Sequence, residues 1–152
     1  MIRANVISGH SSWKRVIKRP SEFLNRRLKI LSRAPSFKNK NHEFSILLTN
    51  DKRMKDLNLK FRKKNKTTDV LSFPYYTPHE TKTKFKFNKS IYLGDIIINL
   101  YKIDKRKKKF KKEFNKLWVH GLVHLLGYKH HKNKDFYKMI KIENKIIKQL
   151  KC

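Results

Sequence analysis

Three residue types that normally shape a chain by special means are scarce here. There is one cysteine, Cys152 at the final position, and only four glycines and four prolines among 152 residues. One thiol excludes an internal disulfide framework and a cysteine-built zinc site. That suits a reducing compartment, and a cytoplasmic location is the expectation. Acidic residues are also few: eleven Asp and Glu stand against forty Lys and Arg. No apolar run approaches the roughly 20 residues of a membrane-spanning helix, so no membrane partner is expected. The first residues lack the uninterrupted apolar stretch of a secretory signal. They are basic and free of acids up to Glu22, as an organellar presequence would be, but Ile2 to Ile7 already reads as a first strand.

What is present suffices for a core. Apolar residues make up 38% and aromatics 12% of the chain, too many for a disordered tail. The length suits a single domain over residues 1–152. The formal charge of +29 implies a polyanionic partner, nucleic acid first among them. Lysines number 31 and arginines 9, and Ile, Asn and Phe are abundant. An AT-rich genome imposes that bias at tolerant surface positions, so the excess charge reads as part drift and part function.

Hydrophobic periodicity gives an α+β fold: a small mixed sheet packed with several helices. Strands are expected at 2–8, Phe44–Leu48, Thr68–Phe73 (closed by Pro74) and Gly94–Asn99, the last buried on both faces. A short helix runs to Ile17, and Pro20 opens another with Phe23, Leu24, Leu28 and Leu31 as its stripe. Asn50 should cap a helix that turns Met54, Leu57 and Phe61 inward. Residues 76–90 read as a long exposed loop or edge hairpin. Asp104 should cap a long helix striped by Phe110, Phe114, Leu117, Trp118, Leu122 and Leu125, with the basic run Lys105–Lys112 on its exposed first half. A last helix, about Asp135–Leu150, packs through Phe136, Met139, Ile142, Ile146 and Ile147. There is no internal repeat.

The most informative run is Trp118-Val119-His120-Gly121-Leu122-Val123-His124-Leu125-Leu126-Gly127-Tyr128-Lys129-His130. In a helix His120 and His124 stack one turn apart on one face. Gly127 can adopt positive φ and end that helix, which lets the chain turn back and bring His130 to the same point. Three imidazoles from a helix and its C-terminal turn make an open metal site, with a fourth position for water. His131 competes with His130 for third ligand; the spacing favours His130. His10, His42 and His79 have no partners in sequence and read as surface residues. One group of zinc proteases spaces its ligands this way but places a glutamate base after the first histidine. Here that position is Gly121, which instead lets another element approach closely. Arg62 read alone is one more surface cation, though its guanidinium fork matches phosphate. Gly94-Asp95 is either a strand-entry turn or a carboxylate near the metal.

Taken in order, Arg62 with Thr68-Asp69-Val70-Leu71-Ser72-Phe73-Pro74, then Leu93-Gly94-Asp95-Ile96, then the histidine run with Gly127-Tyr128 before the last His, resemble the YbeY family of bacterial rRNA maturation factors. The likeness runs from about Phe44 to Ile147, and more loosely over the N-terminal third. It implies a metal-dependent endoribonuclease that acts on single-stranded RNA, matures ribosomal RNA ends, notably of the small subunit, and serves ribosome quality control. It implies one divalent metal per chain, zinc, on His120, His124 and His130, and an arginine needed for activity at Arg62. The family commonly has Asp before the third histidine, where this chain has Lys129. A lysine cannot accept a hydrogen bond from imidazole, so the support of the metal site is expected to differ.

The expected mechanism is metal-assisted phosphodiester cleavage. Arg62 binds the scissile phosphate, and Lys63, Lys64 and Lys66, with lysines of 105–112, hold the flanking backbone. The sequence names no general base; attack by the RNA 2′-OH and by metal-bound water both fit. Two competing readings are an RNA- or ribosome-binding assembly factor with a structural metal, and a metallopeptidase, which Gly121 disfavours. Neither metal identity, cleavage sequence nor oligomeric state is encoded in a motif.

Overall fold

A computed structural model describes residues 1–104 and 106–150, without the side chains of residues 107 and 108. Lys105, Cys152 and part of the expected basic run therefore lie outside the described residues. The elements are β1 (Ile2–Ser8), α1 (Trp13–Val16), α2 (Pro20–Leu31), β2 (Asn41–Thr49), α3 (Asp51–Arg62), β3 (Val70–Pro74), α4 (Pro78–Phe87), β4 (Ser90–Asn99), a 3₁₀ turn at Leu100–Lys102, α5 (Lys107–Leu125) and α6 (Asn133–Leu150).

The sheet is mixed, in the order β1-β2-β4-β3. β2 is parallel to β1 and to β4, and β3 runs antiparallel along the edge of β4. Strand periodicity divides the two faces. Ile2 and Ala4, Phe44, Ile46 and Leu48, and Ile96 and Ile98 point to the main core, where Trp13, Leu24, Leu28, Phe114, Trp118 and Leu122 meet them from α1, α2 and α5. Leu71 and Ile97 point the other way and are covered by Met54 of α3. A register shift between Glu43 and Ser45 marks an extra residue in β4. Gly94 sits there at φ +132°, and a Cβ on it would lie 2.2 Å from the Phe73 carbonyl. Only glycine allows β3 to close on β4 at that point.

Several expectations change. Residues 78–87 form α4 rather than a loop or hairpin: Thr77 and Glu80 make a reciprocal capping box with Pro78 in the first turn. Phe61 is 56% and Phe136 47% exposed, so neither stripe extends to them. Phe61 instead leans on Phe73, ring centroids 5.3 Å apart. α5 begins at Lys107 with Arg106, not Asp104, at the N-cap. The Asp104 carboxylate is gripped by Arg106, which holds its pKa down to about 2. β4 is longer than expected, and Asp95 within it is exposed. His42 is not a surface residue. It alternates with Phe44 and Ile46 along β2, is 0% exposed, and rests edge-on against Phe85 at 4.5 Å between centroids. Neither of its ring nitrogens has a hydrogen-bond partner, and burial pushes its pKa down to about 4.

Candidate metal centre

α5 is fixed by its apolar side. Trp118, Val119, Leu122, Val123 and Leu125 are all buried at 1% exposure or less. Between them, a Cβ on Gly121 would sit 2.8–3.1 Å from three carbons of Ile96. The absent side chain thus lets α5 lie directly on β4. This places His120 and His124 one turn apart on the half-buried face of the helix. The helix ends at Leu126, and Gly127 takes φ +93°. Its N–H donates to the His124 carbonyl at 2.9 Å and the Tyr128 N–H to that of Val123 at 3.2 Å. Pro78 and Thr81 of α4 close over this turn, 3.4–3.6 Å from where a Gly127 Cβ would be. The reversal carries exposed His130 back beside the other two rings.

One nitrogen from each of His120, His124 and His130 lies within 4.8 Å of the others. His124 Nδ1 is 2.9 Å from the Tyr128 carbonyl, and His120 Nδ1 is 2.9 Å from Glu143 Oε1 of α6. A carbonyl and a carboxylate only accept, so each Nδ1 carries the proton and donates it. In the neutral rings each Nε2 then presents a lone pair, and the two Nε2 atoms are 3.2 Å apart. Burial, followed by the neighbouring His120, pushes the His124 pKa down to about 4, which disfavours a proton between them. A tetrahedral ion with metal–nitrogen bonds of about 2.05 Å separates adjacent ligand atoms by about 3.3 Å. His120 and His124 therefore fit a divalent metal in spacing and tautomer, and a His130 nitrogen within 4.8 Å of theirs can complete the set.

Glu143 and Tyr128 are the groups that sequence reasoning missed. The expected question was what Lys129 does to the support of the third histidine; the carboxylate found here comes from another helix and supports the first. A signal existed, since Glu143 stands in the apolar stripe of α6, four residues after Met139 and three before Ile146. A carboxylate on a buried face of an acid-poor chain needs a partner. Among the described residues, no hydrogen bond supports the His130 ring.

The three histidines share a cavity of about 250 Å³ with Arg62, Val70, Ser72, Pro74, Lys129 and His131. Arg62 is the last residue of α3. Lys63 follows at φ +58°, and its N–H and that of Lys64 close the helix onto Leu59 and Asn58. The loop beyond is pinned: Asn58 Nδ2 donates to the Lys66 carbonyl at 2.7 Å, and Asn99 Nδ2 to Thr67 Oγ1, Thr68 O and Asp51 Oδ1. Lys63, Lys64 and Lys66 are exposed on that loop but do not line the cavity. The cavity's second cation is Lys129. Asp95 lies on the far face of the sheet, where its carboxylate accepts from the Tyr92 hydroxyl at 2.7 Å, so it is not a carboxylate of this centre.

Comparison with known proteins gives a consistent picture. The family model described as endoribonuclease YbeY matches residues 8–151. The endoribonuclease YbeY of Pelagibacter ubique is 44% identical over 155 residues, covering 99% of this chain and 97% of that protein. That of Ehrlichia canis is 32% identical over 154 residues, covering 99% and 93%. A Thermotoga maritima protein solved in solution superposes with a TM-score of 0.54 at 23% identity, over 99% of this chain and 89% of that one. This last likeness is one of fold.

Proposed function

Because the chain belongs to the YbeY family of endoribonucleases, we propose that the histidine–arginine cavity is where it cuts single-stranded RNA in the maturation of ribosomal RNA. The observation that carries this reading is the convergence of Arg62, from the end of α3, with His120, His124 and His130, from α5 and the turn after it, around one cavity. The whole chain acts as one domain, its substrate presented by the ribosome or small subunit in the cytoplasm. Among the described residues no helix is long and apolar enough to cross a membrane.

His120 and His124 through Nε2, with His130, would hold the metal, which we assign as zinc. A divalent ion bound there supplies Lewis acidity to a water or a phosphoryl oxygen. The protein's own part is orientation and charge. Glu143 and the Tyr128 carbonyl fix the ring tautomers. Arg62 offers a fork of donors to the scissile phosphate and takes up its developing charge. Ser72 and Lys129 line the same cavity and can donate to the remaining oxygens. Lys63, Lys64 and Lys66, held on their pinned loop, attract the flanking backbone, so binding weakens steeply with salt. A peptidase reading finds no base at Gly121, because that position is occupied by contact with Ile96.

The test is cleavage of an unstructured RNA by metal-loaded protein. His124→Ala and Arg62→Ala should each lower turnover, Arg62→Ala by about 10²–10³-fold as for removal of one transition-state donor. Undiminished cleavage by both variants would refute these roles. Ribosome binding that survives metal removal, with no cleavage at any metal loading, would favour the assembly-factor reading.

A further inference from the structure

A second feature lies away from the histidines. In a chain that carries 31 lysines, four of the nine arginines fall between positions 15 and 27. The structure gathers these four, Arg15, Arg19, Arg26 and Arg27, around one cleft of about 780 Å³, together with Lys18 and with Lys111 of α5. Lysine is what compositional drift supplies at indifferent positions. Arginine concentrated at one cleft marks a place where the planar fork matters, and that fork matches phosphate bidentately.

Three further observations point to an anion. The Arg27 guanidinium sits over the Phe23 ring, its Cζ 3.7 Å from the ring centroid. Its Nε is buried with no hydrogen-bond partner, so the group is packed in place without being paired. Next, α2 begins at the cleft with Arg19 at its N-cap and no side-chain cap; Pro20 has no N–H and that of Phe23 is taken by the Arg19 carbonyl, which leaves those of Ser21 and Glu22 without an intrahelical partner. Last, the lone carboxylate at the cleft, Glu22, is exposed and tethers Arg19 at 3.2 Å and Arg26 at 3.5 Å, so it arranges two of the six cations and neutralises one charge.

We propose that this cleft is a second phosphate-binding site, which grips the backbone of the RNA at a distance from the point of cleavage. The proposal rests on the RNA-cleaving reading above. Lys111 and His120 are nine residues apart on α5, about 14 Å along the helix axis. At about 3.4 Å per stacked nucleotide, an RNA reaching both sites extends at least four nucleotides beyond the metal centre. Of the apolar residues at the cleft, Val16, Phe23 and Phe110, Phe23 lies under the part-buried Arg27 guanidinium, and the lower local dielectric strengthens a contact made there.

The experiment measures binding of the full chain to a labelled, unstructured 20-nucleotide RNA between 50 and 200 mM KCl. R15Q/R19Q/R26Q/R27Q should bind at least tenfold more weakly, with a log–log salt slope shallower by about 3, from about 0.7 per lost single-strand phosphate contact. The same four positions as lysine should keep the slope and still lose affinity several-fold. A control removes four exposed lysines elsewhere, K52Q/K55Q/K141Q/K145Q, and should lose less than a third as much. Should the fourfold glutamine variant not fold, R15Q/R26Q removes two exposed forks and should flatten the slope by about 1.4. Native affinity and slope in the arginine variants, or an equal loss in the lysine control, overturns the proposal. His124→Ala reads the other question: retained binding with lost cleavage upholds the metal centre as the place of cutting, independently of the arginine result, and cleavage undiminished in that variant sinks the nuclease assignment while leaving the binding result intact.

Discussion

Replacing Glu143 tests the metal centre without relying on activity. Its side chain is 23% exposed and its carboxylate sits 2.9 Å from His120 Nδ1, where it fixes the ring with its Nε2 lone pair toward His124. Removing such an outer partner typically weakens metal binding 10–100-fold, or about 1.4–2.7 kcal/mol. Metal stabilises the folded state in proportion to the logarithm of its affinity. The stabilisation that zinc adds at a fixed free concentration should therefore fall by the same amount in Glu143→Ala. For a chain of this size that trims the metal-induced rise in Tm by about 3–10 °C. Glu143→Gln keeps an acceptor but loses its charge, so it should fall between. Chelator competition gives the affinity, and melting with and without zinc gives the linkage. The contact is one-third open to water at His120, so the metal-free melting points should stay close together. Native zinc affinity in Glu143→Ala would show that the contact does not orient the ligand, and the tautomer argument would fail with it.

Three other outcomes follow from local geometry. Gly121→Ala gains about 1 kcal/mol of helix propensity but drives a methyl into buried Ile96, an overpacking cost of about 1–3 kcal/mol; the Tm should fall, and in an Ile96→Ala background the same change should become neutral or stabilising, since all three clashing carbons are gone. His42 is buried and neutral with a pKa held down to about 4 against an ordinary 6.5; its share of stability is complete above pH 6.5 and drains as the pH falls toward 4, about 1.4 kcal/mol by pH 5.5. His42→Leu should remove that share of the acid loss, and an unaltered stability curve against pH would refute it. Lys129→Asp exchanges a cation for an anion in the cavity, so it should tighten metal binding and weaken RNA binding, measured by chelator competition and by anisotropy.

Much of this arrangement was legible in advance, and the misses have physical causes. Among the described residues, periodicity and one continuous apolar run located the four strands and five of the six α-helices, because most of those segments bury a continuous face. α4 escaped because its sole buried residue is Thr81, and Phe85 and Phe87 alternate with lysines as a strand would. Its clue was chemical, the Thr77-Pro78-x-Glu80 start that builds a capping box. Phe61 and Phe136 fit their helical stripes but stay 56% and 47% exposed, Phe61 with one side against the Phe73 ring, so periodicity named a face that is covered only in part. His42 was misplaced for want of a sequence partner, although its alternation with Phe44 and Ile46 put it on the core face. At the metal centre the three histidines were visible because two share a helix and the third follows a glycine turn. Glu143 was not, because its contact joins residues 23 apart, and no local rule reports on that.

The histidines are held unequally. His120 and His124 ride on a helix whose other face is the middle of the core, so neither can leave its place unless the protein opens globally. His130 stands exposed beyond Gly127, with no hydrogen bond to its ring among the described residues. A metal held there should meet a hemilabile donor set, two arms fixed by the core and one held by the turn alone. Metal exchange should then begin by release of His130, and His130→Ala should hasten chelator-driven metal loss far more than it shifts the melting point of the metal-free chain.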